Sequence, residues 1–152
     1  RFDWAMLDAI RRRWPRPILL KGVLHPTDAR RAVDAGIDGI IVSNHGGRQL
    51  DAAPAPLTQV PAIRAAVGPS VPILVDGGVR NGEDIARALC CGATLALLGR
   101  PFLFAVAALG PSIGPAGLID CLTDELDRAM GQLGCATAAD LNPTLLSYPY
   151  DS

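Results

Sequence analysis

The sequence predicts an α/β fold built on a parallel sheet, and three observations carry that expectation. Four short apolar runs alternate with helical segments, the pattern of successive βαβ units. Every polar residue of chemical interest falls at the C-terminal end of one of those runs: Lys21, then Ser43, His45 and Arg48, then Asp76 and Arg80, then Gly99 and Arg100. A (β/α)8 barrel places its chemistry there. The third observation is size. Such a barrel takes about 250 residues, whereas this chain has 152 residues. Four strands left as an open sheet would present two apolar edges with unpaired backbone groups. The expectation is therefore half a barrel, completed by a half that this sequence does not contain.

In chain order, Trp4, Leu7, Ile10 and Trp14 lie at helical spacing, a pattern that reads as core packing. Arg11, Arg12 and Arg13 place cations at the negative end of that helix's dipole, and Pro15 and Pro17 stop it. Residues 18–23 form a nearly continuous apolar run with Lys21 near its end, as expected of a strand covered on both faces. Pro26-Thr27-Asp28 opens a helix through Ala35, closed by Gly36; His25, just before it, receives no role. Residues 37–43 form the second strand, and a long loop with Pro54 and Pro56 leads to a helix over about 57–67. Residues 71–75 are the third strand; Asn81-Gly82-Glu83-Asp84 starts a helix to about Cys91, with Gly92 as its stop. Residues 94–98 are the fourth strand, followed by a short helix over about 102–109. A longer helix over about 115–133 carries Leu118, Leu122, Leu126, Ala129, Met130 and Leu133 as one apolar stripe. The tail from about 134 to 152, with Pro143 and Pro149, must pack on something or fray. The barrel part is thus about 1–133 of a single domain.

Composition narrows the function classes. Hydrophobic residues make up 49% and charged ones 19%, as in an ordinary globular domain, and the net charge is −1. Scattered Lys and Arg argue against a nucleic-acid or membrane-surface footprint. No apolar run reaches the roughly 18–20 residues of a membrane span, and Arg1-Phe2-Asp3-Trp4 does not read as a signal peptide. A cytoplasmic setting is expected, with peripheral membrane association left open. Cys90, Cys91, Cys121 and Cys135 have neither metal-ligand spacing nor disulfide density, so reduced, buried thiols and no metal are expected.

The chemistry concentrates where the second strand ends, in Ile40-Ile41-Val42-Ser43-Asn44-His45-Gly46-Gly47-Arg48-Gln49-Leu50-Asp51. His suits proton transfer near neutral pH. Arg grips a carboxylate with two parallel hydrogen bonds. Glycines let the backbone turn sharply and approach a ligand. His45 alone reads equally as a structural histidine, and Lys21 alone as a side chain reaching for solvent. His45 and Arg48 in one glycine-rich loop answer no packing need, so chemistry on a small acid is favoured. Asp76-Gly77-Gly78-Val79-Arg80, opening a helix at Asn81, has the makings of a phosphate cradle, and Gly99-Arg100-Pro101-Phe102 repeats the arrangement one strand later.

Together with Leu20-Lys21-Gly22, these segments resemble the FMN-dependent L-2-hydroxy-acid oxidases and dehydrogenases, a family that includes glycolate oxidase, lactate oxidase and mandelate dehydrogenase. The run Ser43 to Asp51 is highly specific, whereas the glycine-arginine elements are shared with other phosphate-binding barrels. The resemblance covers nearly the whole chain but only the C-terminal half of a family member, strands five to eight of a TIM barrel. It implies His45 as the base and Arg48 as the carboxylate-binding residue. Lys21 is implied beside the flavin N1/C2 carbonyl, Ser43 as a flavin contact and Asp76 as a partner of the ribityl hydroxyls. The phosphate would fall to Gly78, Arg80, Gly99 and Arg100, with Gly77 and Val79 in the same cofactor-binding loop. The implied reaction is FMN-dependent oxidation of a 2-hydroxy acid, with a lean toward lactate or mandelate, to the 2-oxo acid. Carbanion and hydride routes stay open, as does the electron acceptor. Implied partners are the substrate, the N-terminal half of the barrel and further copies in a homo-oligomer, with a tetramer as one form. That missing half would carry the aspartate that orients the histidine, so the chain alone is expected to be inactive. Two other readings remain: a different FMN or phosphate barrel enzyme, and a non-catalytic half-barrel module that binds FMN or phosphate.

Overall fold

The computed structural model describes residues 2–147; Pro149 and the end of the expected tail lie outside the described residues. Four βα units follow one another. Helix α1, Trp4–Arg13, is capped by Asp3, whose carboxylate accepts the Met6 N–H at 3.0 Å. Strand β1, Leu19–Val23, leads to α2, Pro26–Asp34. Strand β2, Gly39–Val42, leads through a short 3-10 turn, His45–Gly47, to α3, Pro56–Val67. Strand β3, Ile73–Val75, precedes α4, Gly82–Cys90, and β4, Leu95–Ala96, precedes α5, Arg100–Leu109. Helix α6, Gly114–Leu133, and two more 3-10 turns, Ala138–Asp140 and Pro143–Leu145, complete the described chain.

All four strands are parallel and stand in sequence order, β1-β2-β3-β4. This is the α/β parallel arrangement the sequence predicts, one arc of the kind that closes into a barrel. Ile40, Val42, Ile73 and Val75 on the strands and Val60 and Ile63 on α3 are completely buried. A second cluster joins Ala86 and Cys90 on α4 to Leu141, with Leu126 and Met130 of α6 against it. The segment after α6 therefore packs on the α4–α6 pair.

The differences from expectation have physical causes. Residue burial in β1 alternates, and Leu19 and Leu95 are about half exposed. The edge strands lack neighbours, so they are not covered on both faces. On α1 only Leu7 is buried; Trp14 is 50% exposed. Trp4 is half-buried beneath the Arg31 guanidinium, 4.3 Å from the ring centroid, so its packing includes a cation–π contact. Leu133 of the α6 stripe is exposed as well. His25 is the N-cap of α2: its Nδ1 accepts the Thr27 N–H at 3.2 Å. Of the four free thiols only Cys90 is buried, and Cys121 is exposed. Burial pushes the Cys90 and Cys91 thiols up. No group of three His, Cys, Asp or Glu among the described residues could hold a metal ion, and none of the described helices is long and apolar enough to cross a membrane.

Arginines tie together the loops at the N-terminal ends of the strands. Arg64 donates to the carbonyls of Gly92, Gly68 and Val71 at 2.7–2.9 Å. Arg11 donates to Gly36 and Arg16 carbonyls and to the Asp38 carboxylate. Asp38 also accepts the Ile18 N–H at 2.8 Å, and that hydrogen bond, with Arg11 beside it, holds its carboxyl below the usual range. Loop carbonyls and the Ile18 N–H thus find partners on this face without touching the opposite one.

At Gly82 the backbone of α4 meets that of α6 with no side chain between them. A Cβ on Gly82 would stand 2.2 Å from the Leu126 backbone nitrogen, and the Gly82 N–H donates to Glu125 at 2.9 Å. Gly82→Ala should therefore cost about 3 kcal/mol, because backbone cannot move aside as a side chain can. Gly68→Ala adds a methyl at φ +84, ψ 173, but into open space, so only the conformational cost of that glycine-favouring backbone, about 2 kcal/mol, is expected. Urea unfolding of the two variants checks the order; equal losses would mean that the α4–α6 crossing is not close-packed at Gly82.

Candidate active site

The C-terminal ends of β1, β2 and β3 are joined by one cation. The Lys21 ammonium donates to Ser43 Oγ at 2.6 Å and to Asp76 Oδ2. Three strands contribute one residue each, so the ends cannot drift apart without breaking a charge-assisted contact. Ser43, completely buried, also accepts the His45 N–H at 3.1 Å. Its hydroxyl therefore links the lysine to the backbone of the histidine loop.

That loop is folded on itself. Asn44 Oδ1 accepts the Gly46 N–H at 3.0 Å, its amide reaches the Pro54 carbonyl at 3.4 Å, and the Gly47 N–H returns to the Asn44 carbonyl at 3.1 Å. Within this turn His45 adopts φ +56 as the single non-glycine residue with positive φ among the described residues. Such a backbone costs energy and persists where surroundings enforce it. No hydrogen bond among the described residues uses either ring nitrogen of His45, and the ring rests against Gly22 of β1. Arg48 is exposed and makes no ion pair with a described residue.

After β3, Gly77 and Gly78 take φ +87 and +93. A Cβ on Gly77 would press on Asn44 Oδ1 and Pro56 Cγ, both at 3.2 Å, whereas around Gly78 the space is open. No hydrogen bond among the described residues uses the N–H of Gly77, Gly78 or Val79. At the start of α4, expected to adjoin a phosphate cradle, three amides are already engaged. Asn81 accepts the Asp84 N–H, Asp84 accepts the Arg80 N–H and Glu125 accepts that of Gly82. Helix α5 differs: its N-cap Gly99 brings no side-chain cap, and nothing lies within 4 Å of where a Cβ on Gly99 would stand. The Arg80 and Arg100 guanidinium groups are exposed, and Arg100 Nη2 lies 3.8 Å from where a Cβ on Gly46 would stand.

One atom is left over. Asp76 Oδ1 is buried and has no hydrogen-bond partner. A buried, unpaired carboxylate oxygen is costly unless a donor meets it, so the position suits a hydroxylated ligand. The open glycine loop, the uncapped start of α5 and two free guanidinium groups suit an anion. The structure brings Lys21, Ser43 and Asp76 into direct contact, joins His45 to them through Ser43, and leaves Arg48, Arg80 and Arg100 without ion-pair partners among the described residues. Gly22 and Asn44 belong to the site although neither was assigned a part. A lone glycine inside an apolar run is the sequence sign of a bulge, and Asn before a glycine is the sign of a side-chain-closed turn.

The comparisons with known proteins agree with this geometry. A family model described as FMN-dependent dehydrogenase matches residues 1–148. The chain is 49% identical over 133 residues to L-lactate oxidase of Roseobacter sp. (strain GAI101), covering 88% of this chain and 36% of that protein. Mandelate oxidase in complex with (S)-2-phenylpropionate matches with a TM-score of 0.88 and 44% identity over 93% of this chain and 42% of that one. A variant of an active chimera of (S)-mandelate dehydrogenase matches with a TM-score of 0.91 and 41% identity, over 96% of this chain and 40% of that one. The chain thus spans between 36% and 42% of the length of these relatives.

Removing the Ser43 hydroxyl should loosen the whole constellation. Ser43→Ala takes an acceptor from Lys21 and from the His45 N–H at a buried position, and a loss of about 1–3 kcal/mol is expected. Urea unfolding measures it; a loss below about 0.5 kcal/mol, the range of ordinary surface changes, would mean that the hydroxyl does not hold the loop.

Proposed function

We propose, for a chain that belongs to the FMN-dependent dehydrogenase family, that its strand-end site serves the FMN-dependent oxidation of a lactate- or mandelate-like L-2-hydroxy acid to the 2-oxo acid. The observation that carries this reading is the pairing of His45 and Arg48 on one loop pinned through Ser43 to the Lys21–Asp76 pair. The lean toward lactate and mandelate follows the names of the relatives. Because the chain spans only part of those relatives, the activity belongs to the whole protein of which this chain is a segment.

Each residue then has a part. Arg48, which forms no ion pair with a described residue, binds the substrate carboxylate through two parallel hydrogen bonds and fixes the orientation of the carbinol carbon. His45 takes the proton that leaves the substrate, a task suited to an imidazole near neutral pH. Lys21 holds a positive charge at the strand ends, where it favours negative charge developing nearby. FMN would be held by Lys21 and Ser43, by Asp76 through its unpaired oxygen toward ribityl hydroxyls, and by Gly77, Gly78, Val79, Arg80, Gly99 and Arg100 at the phosphate. When bound, it supplies the acceptor for the two electrons.

The exposed β1 and β4 edges support a further part of the reading, in which an N-terminal half completes the barrel around this site. Leu103, Phe104, Leu109 and Ile113, all exposed, supply apolar surface for that half and for subunit contacts in a homo-oligomer. No described residue hydrogen-bonds the His45 ring, which is why this chain alone is proposed to be inactive: imidazolium has no carboxylate to stabilise it.

Anaerobic mixing of the full-length flavoprotein with L-lactate or L-mandelate tests the proposal, with bleaching of the flavin band as the signal. His45→Gln should slow reduction by roughly 10²–10⁴-fold. Arg48→Met should lower kcat/KM by roughly 10- to 150-fold, the equivalent of losing about 1.5–3 kcal/mol of charged hydrogen bonding. The isolated chain should reduce no flavin. Unchanged reduction by the His45 variant would exclude it as the base, and turnover by the isolated chain would remove the need for a second half.

A further inference from the structure

The register of the sheet contains one irregularity, and it lies beside His45. Lys21 pairs with Ile41 and Val23 with Val42, so β1 advances two residues while β2 advances one. Gly22 is the extra residue, a bulge, and its φ of +96 belongs to the region that glycine tolerates. A Cβ built on Gly22 would stand 2.6 Å from His45 Nε2, 3.4 Å from Cε1 and 3.7 Å from Cδ2. The imidazole edge therefore occupies the volume that any side chain at position 22 would need.

We infer that Gly22 is a positioning residue for the proposed base: its bulge and its missing side chain set where His45 Nε2 stands relative to the substrate. The inference deepens the functional reading above and rests on it for its catalytic consequence. Two independent restraints then aim the ring. The backbone of His45 is fixed from one side by Ser43, which also holds Lys21. The ring is seated from the other side on the residue next to Lys21. Backbone and ring are both referred to the end of β1, so the base and the Lys21 cation keep a fixed relation to each other.

A purely conformational role for Gly22 makes a different forecast. Gly110, at φ +78 with nothing within 4 Å of a built Cβ, shows what a glycine needed only for its backbone looks like. At Gly22 the obstructing atom is the far end of a side chain, which turns aside more readily than backbone. Gly22→Ala should therefore displace the imidazole while the fold and the flavin site persist. A shift of about 1 Å at a reacting group costs on the order of 100-fold in rate.

The test uses the full-length flavoprotein with Gly22→Ala, His45→Gly, the two combined, and Gly110→Ala as the strain control. Flavin content, substrate affinity and the limiting rate of anaerobic flavin reduction are measured, together with thermal midpoints. Gly22→Ala should keep its flavin and bind substrate within about twofold of the parent, while reduction slows on the order of 100-fold. In the His45→Gly background the same change should alter the rate by less than about twofold and lower the midpoint less than it does in the parent, since coupled residues are not additive. Gly110→Ala should leave the rate unchanged. Equal losses in both backgrounds, or an unchanged rate in Gly22→Ala, would overturn the inference. If Gly22→Ala alone does not accumulate, recovery of folded protein in the double variant is the expected result and failure to recover overturns it. If His45→Gly itself reduces flavin normally, the base assignment falls and the positioning inference falls with it, yet the midpoint coupling still reports whether the two residues touch.

Discussion

A single ammonium group holds the functional end of this molecule together. Lys21 bridges the second strand end through Ser43 and the third through Asp76. Remove the charge and three consequences follow at once. Asp76, whose other oxygen is already unpartnered, becomes a poorly compensated carboxylate; Ser43 loses a donor; and the backbone of His45 loses the far anchor of its own contact with that hydroxyl. Leaving one member of a partly buried pair uncompensated costs more than the pair contributes. The lysine is therefore structural and chemical together, because the cation that aligns the strands is also the positive charge available to a ligand.

The two ends of the sheet obey different rules. At the N-terminal ends of the strands, Arg11 and Arg64 saturate loop carbonyls, and Arg30 does the same for Ala66. Those three guanidinium groups have backbone partners, whereas Arg12, Arg13 and Arg16 on the same side have none among the described residues. At the C-terminal ends Arg48, Arg80 and Arg100 have no ion-pair partner among the described residues, and one carboxylate oxygen is orphaned. Satisfied polar groups stabilise a fold; unsatisfied ones at one face describe a ligand. The arginines that tie loop carbonyls together thus lie at one end of the sheet and the orphaned carboxylate oxygen at the other, a division of labour expected of a (β/α) barrel.

Much of this was legible in the sequence because it is local. Apolar runs, Asn81 as a helix cap and the glycine-rich loop around His45 depend on neighbours a few residues away, and the structure puts strands, helices and loop where those signals stand. What was hidden depends on partners distant along the chain. His25 caps a helix although histidine is not a usual capping residue. Arg11 and Arg64 reach carbonyls 25 and 28 residues away, and nothing in an arginine's immediate context announces such a partner. Trp14 sits at core spacing yet is half exposed, since spacing tells which residues share a face and not whether anything covers it. At the start of α4 the Gly82 amide is occupied because Glu125, on another helix, reaches it. Gly22 announced itself only as a glycine in a strand; which side chain fills the space it leaves is a tertiary fact.

The charges at the strand ends also bear on how the proposed ligands would share that face. Lys21 is engaged by Asp76, so the cations at the C-terminal strand ends without an ion-pair partner among the described residues are Arg48, Arg80 and Arg100. Two of these, Arg80 and Arg100, flank open glycine backbone that has amides to offer an anion, while Arg48 stands on the histidine loop. Arg100 nonetheless leans toward Gly46 of that loop. Like charges in a site without counterions repel through a medium less polar than bulk water. On the proposed reading, a phosphate held by Arg80, Arg100 and the glycine amides would engage two of these cations and leave Arg48, on the histidine loop, for a small carboxylate. The phosphate and the acid of that reading would therefore draw on different cations of the same strand-end face.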